Sequence, residues 1–459
     1  MALISNAYMT SLLKTVYLSG VDNLKYQNSP VLAAIPKKTW SGGKEIKYAA
    51  QYGNGGNVGS VYSTVANNPA TGARNCEWKV EQGYCFGMFT INQPEILTSE
   101  DERGAYMAIL SNKMAACFDA LSKVLATYLY GGKWGVIDTC KSAIASVAAT
   151  GNQLTLTSAG IMKLDVGSRF VIATGTPGGT LKAGVMTVTA INDLTITFDA
   201  SVTGAAIAKG DVIELYTSRG SDGTARGIEG LPDILPTIAD RTGATWTTYI
   251  ATPFRGVNRS QAVERLSGQF VKQAAGQTVS EVMIALLKKT KRAGGLNNIM
   301  IVNDETWDKI GSELGVSANL WQATNAAMPG KQSITSGVNE LATAFGDAFI
   351  GRTVIDPYCP QNVIYCLEKD ELVFYDLGNV GRAIDPVSNG QMGKHEVTAV
   401  GDQGLGKSFG PNVNIDKLFT VEQGTAGEYG PEFRIAAHVY GNFILRKTAS
   451  AGVAVLNSN

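Results

Sequence analysis

The chain has 459 residues, with 39 Lys plus Arg against 39 Asp plus Glu, and only 17% of its residues are charged. Zero formal charge excludes the broad field that steers basic proteins onto nucleic acid or acidic membranes, so any DNA contact must be local. The length suits roughly three packed units, and low charge combined with 52 glycines fits a surface covered by copies of itself.

Residues 1–40 show weak helical spacing at Leu12, Leu13, Val16 and Tyr17, then an extended segment containing Pro30 and Pro36 that cannot continue a helix. The stretch Ser41 to Asn68 follows. Its residues alternate from Lys44 to Tyr48, "YGNGGNVG" supplies a turn, and "WKVEQGYCFGMFTI" continues extended, so it reads as one side of a long β-hairpin. This hairpin offers little apolar surface to bury within its own subunit.

The strongest helix pattern spans 99–130. Ser99 and Glu102 have capping-box spacing, an apolar stripe runs through Met107, Leu110, Met114, Cys117, Leu121, Leu125 and Tyr128, and Gly131 with Gly132 ends it. At 1.5 Å per residue this is a rod of about 46 Å. Between 142 and 216 five short β-runs, "NQLTLTS", "SRFVIA", "VMTVTAI", "LTITF" and "DVIELY", predict a small antiparallel barrel. Two helices are then expected, Ser260 to Ala274 and Val279 to Arg292, the second opened by Thr278 and Glu281 and closed by Lys288, Lys289, Lys291 and Arg292 as the helix dipole favours. "NNIMIVNDETWDKI" reads as a strand entering a helix capped by Asn303 or Asp304, and "GVNELATAFG" as a further helix. The strands "RTVID", "NVIYCLE", "ELVFYD", "KLFTVEQG" and "EFRIAAHVYGNFILR" complete an α+β chain.

Chemistry-bearing patterns are sparse. "GDQGLGKS", Gly401 to Ser408, fits the phosphate-binding P-loop spacing, but Gly410 and Pro411 prevent the helix such a site needs, which favours a glycine-rich loop. A nucleotide hydrolase using Lys407 and Ser408 is therefore the minor alternative, and a β-rich tail or adhesion protein is another. His395 and His438 are isolated, and the carboxylate pairs Glu100–Asp101 and Asp370–Glu371 sit at a helix start and a turn. No catalytic, cofactor-binding or metal-ligating set emerges. Cys76, Cys85, Cys117, Cys140, Cys359 and Cys366 contain no CxxC pair and read as reduced, mostly buried thiols, with a Cys76–Cys85 bridge as the alternative. The N-terminus has no basic region before its apolar residues, and no apolar run reaches a membrane span.

Taken together, "KYQNSPVLAAIPKKTWSGGKEIKYAAQYGNGGNVGS", the long capped helix, "GIEGLPDIL" and "NNIMIVNDETWDKI" resemble the major capsid proteins of tailed double-stranded DNA bacteriophages, whose Hong Kong 97-type fold encapsulins share. The resemblance implies an N-terminal arm at 1–40, an extended loop at 41–93 that reaches across a neighbouring subunit, and a peripheral domain with the spine helix at 94–141. It further implies an inserted β-barrel at 142–216, a peripheral return and connecting segment at 217–277, an axial domain at 278–392, and C-terminal strands of both domains at 393–459. The implied function is a non-enzymatic shell subunit forming pentamers and hexamers around packaged double-stranded DNA, assembled in the host cytoplasm and ending in the virion. Implied partners are further copies of itself, DNA without sequence specificity and a portal protein, with separate scaffolding and decoration proteins left open; no membrane and no cofactor is involved. An encapsulin-like compartment around a cargo enzyme is the alternative. In the extended loop, Tyr48, Tyr52 and Val58 are the expected intersubunit contacts. Lys38, Lys44 and Lys47 invite the Lys–Asn cross-link of some relatives, but no partner position matches.

Overall fold

The computed structural model describes residues 29–40, 44–54, 59–67, 73–92, 109–182, 184–220, 222–295, 298–313, 353–368, 370–376, 414–418 and 432–457. The helix expected in "GVNELATAFG", the cap at Ser99 and Glu102, and the loop Gly401 to Ser408 lie outside them. The described residues form two units: 86–92, 109–121, 415–418 and 432–438 make the smaller, and the remainder the larger.

Pro30–Ala34 is one helical turn, where an extended segment was expected. Ser29 caps it by accepting from Leu32 N at 3.3 Å. Pro30 occupies the first helical position, where its missing N–H and fixed φ suit the turn. After β1 (Lys37–Thr39), strands β2 (Glu45–Gly53) and β3 (Arg74–Glu81) pair antiparallel with Tyr48 opposite Trp78, forming the predicted hairpin. A helical turn, Tyr62–Ala66, lies between them, and β4 (Gly83–Asn92) follows.

Helix α1 (Ile109–Gly131) buries Leu121, Leu125 and Tyr128 of the predicted stripe, and Ala126, Leu129 and Tyr130 beside them. It stops where expected, because Gly132 takes a positive φ of 66° that side chains resist. Strands β5 (Val136–Thr139), β6 (Asn152–Thr155), β7 (Arg169–Ala173), β8 (Met186–Asn192), β9 (Thr195–Ala200) and β10 (Val212–Leu215) form one antiparallel sheet in the order β5-β10-β7-β8-β9-β6. All five predicted runs are strands in it, and it begins earlier than predicted, already at Val136. Near its two ends Lys141 N donates to Thr155 O at 3.3 Å and Thr155 N to Ser142 Oγ at 3.2 Å. Phe170 and Phe198, edge to face at 5.4 Å, are fully buried there, as are Ile172, Met186, Ile196 and Ile213.

Helix α2 (Ala244–Ala251) precedes the segment expected to be helical from Ser260 to Ala274. That expectation fails. A 3-10 turn at Arg259–Gln261 and one turn at Val263–Leu266 give way to strand β11 (Gln269–Lys272). Gly268, at φ +78°, breaks the helix, and β11 is claimed by parallel pairing with the C-terminal strand β18 described below. Helix α3 (Val279–Arg292) carries the predicted capping box: Glu281 N donates to Thr278 Oγ1 at 3.2 Å, and Thr278 N to Glu281 Oε2 at 3.1 Å. After β12 (Asn298–Val302), helix α4 (304–313) is capped by Asn303, whose Oδ1 accepts from Glu305 N at 3.0 Å.

Strands β13 (Thr353–Ile355), β14 (Val363–Glu368), β15 (Leu372–Asp376), β16 (Asn414–Leu418), β17 (Glu432–Leu445) and β18 (Gly452–Val455) complete the chain. One mixed sheet runs β11-β18-β14-β12-β13, and α3 packs Val282, Met283, Leu286 and Leu287 onto its Met300, Val302, Ile364 and Ala454. Another joins β1 to β15 in parallel and β15 to β17 antiparallel, with β16 and β4 as further partners of β17. The architecture is mixed α+β with several sheets. All six cysteines are free thiols: Cys85, Cys140, Cys359 and Cys366 are buried, Cys76 and Cys117 partly so.

Candidate assembly interface

The hairpin that sequence marked as plain is anchored at its base. Trp78 and Val80 are buried, 3% and 0% exposed. Trp78 stacks on Tyr48 at 6.4 Å, meets Phe254 edge-on at 6.1 Å, and packs with Val257 and Leu266. Val80 packs with Trp40 and Ile444. The expectation that the hairpin buries little within its own chain is thus wrong for its base, where alternation sends Ile46, Tyr48, Trp78 and Val80 inward.

A polar clamp holds that base in place. Arg255 and Gly256 both adopt positive φ, 51° and 80°, within a tight turn closed by Phe254 and Val257. The turn places Arg255 O to accept from Lys79 N at 2.9 Å. The buried guanidinium donates to Glu229 Oε2 and to Phe443 O, each at 2.7 Å. Burial would draw Arg255 down, but Glu229 and Tyr48 outweigh it and hold the cation above its ordinary value. Asn442 closes the network, donating to Glu81 O at 3.0 Å and accepting from Glu229 N at 3.1 Å.

Of the predicted contact residues, Tyr48 is half-buried in this cluster, and burial raises its hydroxyl above the usual range. Tyr52 donates to Gln261 Oε1 at 2.7 Å, and its carbonyl accepts from Arg265 Nη1 at 2.5 Å. Val58 lies outside the described residues. The exposed apolar residues are further along the hairpin: Tyr62 is 86% exposed and Val61 56%. Sequence reasoning passed over both. Their only signal is an aromatic beside a β-branched residue in an otherwise polar connection. Arg255 and Glu229 were missed as well, since their partners are remote in sequence.

The start of the described chain is also pinned. Asp356, fully buried, accepts from Ser29 Oγ, from Tyr130 OH at 2.8 Å and from Tyr358 N at 3.0 Å. Burial raises this carboxyl, and the bonds from Ser29 and Tyr130 restrain the rise. Lys47, on the exposed side of the hairpin, lies between Glu45 at 3.1 Å and Glu77 at 3.5 Å; hydrogen bonding to Glu45 and the two charges raise its ammonium.

No protein-family model and no curated protein matches the chain. A chain of the cyanophage A-1(L) capsid asymmetric unit aligns over 98% of this chain and 99% of its own, with a TM-score of 0.55 and 15% identity. The fold is that of a phage capsid chain. Chains from Mycobacterium phage Bobi, at TM-score 0.45 and 9% identity over 100% of both, and from the capsid of an empty GTA particle, at 0.41 and 9% over 99% of both, are also similar. Within this capsid fold the arrangement at the hairpin is one of packing and clamping. Among the described residues no three His, Cys, Asp or Glu side chains are grouped to hold a metal ion, and no helix is long and apolar enough to cross a membrane. His395 is outside the described residues and His438 lies in β17.

Proposed function

We propose that the chain is the structural subunit of a tailed-phage capsid, a Hong Kong 97-type protein that assembles through pentamers and hexamers into an icosahedral shell around double-stranded DNA. The observation that carries this reading is the capsid fold spanning the whole chain. The hairpin supports it: a braced base presents Val61 and Tyr62 to solvent, and covering a side chain of this size with a neighbour is worth about 1.5–3 kcal/mol. Repeated around a closed shell, such modest contacts sum to avidity.

In this reading residues 1–40 are the arm, 41–93 the extended loop, 278–392 the axial domain, and the six-stranded sheet an inserted barrel on the outer surface that bridges capsomers. The subunit acts in the virion without a catalytic centre, with copies of itself, DNA and a portal as partners. Electron microscopy of the chain expressed alone tests it. Closed shells or capsomer rings are expected, and a strictly monomeric chain at every concentration, alone and with the other structural proteins of its genome, would overturn it.

A further inference from the structure

The outward face of the hairpin carries its charges in rungs of one sign. In the β2–β3 register Glu45 stands opposite Glu81 and Lys47 opposite Lys79, while Ile46 with Val80 and Tyr48 with Trp78 turn to the other face, into the chain. Lys47, Lys79 and Glu81 are exposed, and Glu45 partly so. Like charges directly opposite one another on neighbouring strands repel, so a hairpin that met only solvent would be better served by mixed rungs.

Diagonal pairing inside the chain relieves part of this. Lys47 reaches Glu45 at 3.1 Å and Glu77 at 3.5 Å. Lys79 and Glu81 make no ion pair among the described residues. Both are held from behind by the clamp: Lys79 N donates to Arg255 O at 2.9 Å, and Glu81 O accepts from Asn442 Nδ2 at 3.0 Å. The backbone beneath these two charges is thus fixed before any partner arrives.

Rungs two residues apart on a strand lie about 7 Å from each other, so the face changes sign over that distance. A phosphate backbone, or any surface of a single sign, is attracted by one rung and repelled by the next. The matching partner is a face with the same two rungs in the opposite order, and the chain itself supplies it. Turning an identical hairpin over about a two-fold axis parallel to the rungs and midway between them sets Glu45 of one copy on Lys47 of the other, and Glu81 on Lys79, with the reverse pairs following by symmetry. A two-fold axis along the strands would instead set Glu45 on Glu81 and Lys47 on Lys79, so the charges select one orientation. We propose that this face is a two-fold contact between copies of the chain, an inference that rests on the assembly reading above. Exposed ion pairs are individually weak, and two rungs a side fall far short of a stable dimer's interface, so the contact works by repetition within an assembly.

Charge exchange tests it. Lys47→Glu with Lys79→Glu makes both rungs acidic, and Glu45→Lys with Glu81→Lys makes both basic; at these surface positions the urea midpoint should stay near that of wild type. Each double variant alone should lose about tenfold in assembled fraction by sedimentation, and an equimolar mixture of the two should regain it. In a second arm, wild type grown on light and on heavy nitrogen is mixed, assembled and treated with a carbodiimide, which joins touching carboxylates and amines. Mass spectrometry should find Glu45 joined to Lys47, and Glu81 to Lys79, in products with one light and one heavy member. A wild type that forms no assemblies removes the assembly reading alone; the same cross-linking in concentrated, low-salt solution then decides the contact, as it does if a variant fails to fold. Variants that assemble as well as wild type, a mixture no better than its components, or cross-links confined to single copies would each overturn the inference.

Discussion

Arg255 and Glu229 meet at 2.7 Å beneath the hairpin, with the Arg255 side chain 2% exposed and that of Glu229 20%. Removing one member of such a buried pair strands the other, so Arg255→Met should cost about 3–5 kcal/mol in urea unfolding. Arg255→Lys keeps the charge but cannot reach both Glu229 Oε2 and Phe443 O, and should lose part of that. Hydrogen exchange should rise first in β2 and β3, because Lys79 N loses its acceptor on the turn. Uniform acceleration across the chain would contradict the clamp.

Trp78 and Tyr62 should separate folding from assembly. Trp78→Ala empties a core position and should cost about 3–5 kcal/mol. Tyr62→Ser, at a residue 86% exposed, should leave the urea midpoint within error while lowering the yield of particles in electron micrographs. Equal loss of stability in both variants would place Tyr62 in a fold role.

Asp233 should make stability pH-dependent. Burial pushes its carboxyl up to about 6, with the nearby Glu229 acting in the same direction. Because the folded value exceeds the unfolded one of about 3.9, the fold favours the protonated form. That contribution is fully present below about pH 3.9 and is lost as pH rises through about 6. The stability of wild type relative to Asp233→Asn should therefore fall between pH 4 and pH 7, as paired urea titrations would measure. A constant gap would show that Asp233 does not titrate in this window.

Glu313, in α4, accepts from Val279 N at 2.9 Å and from Ser280 N at 3.0 Å, both in the first turn of α3. Burial would raise this carboxyl, but the donors of Ser280 and Val279 outweigh it and hold it below the usual range. With the folded value depressed, its contribution is present above about pH 4.3 and disappears as pH falls through the folded value. Glu313→Gln should cost about 1 kcal/mol at pH 7 and nothing at pH 2. A penalty of the same size at both pH values would assign the loss to packing.

What was legible in the sequence is what local chemistry decides. Thr278 with Glu281, Asn303 before α4, and the glycines after α1 each announce a helix end through groups three or four residues away. The β-runs of the six-stranded sheet show in the same way. Where partners are remote, local pattern misleads: "FVK" in β11 has its neighbour at Val453, Ala454 and Val455, and Tyr52 finds Gln261 across 209 positions. The hairpin could be recognised from its turn residues, but what holds it could not, because Arg255 adopts a backbone conformation rare for its type in order to meet residues on three other segments. Pro30 was misjudged for a different reason: proline forbids a helix interior but suits its first position.

The contact of Ser29 with Asp356 spans 327 positions, and β1 pairs with β15, a strand still further along the chain. At roughly 5–20 residues per second of synthesis, the segment around Ser29 is out of the ribosome for tens of seconds before its acceptor exists. During that interval Trp40, whose N–H is received by Asp376 O, has no completed site either. The segment around Ser29 thus docks only once synthesis has passed Asp376. Seating of that segment thereby waits on strands made far downstream of it.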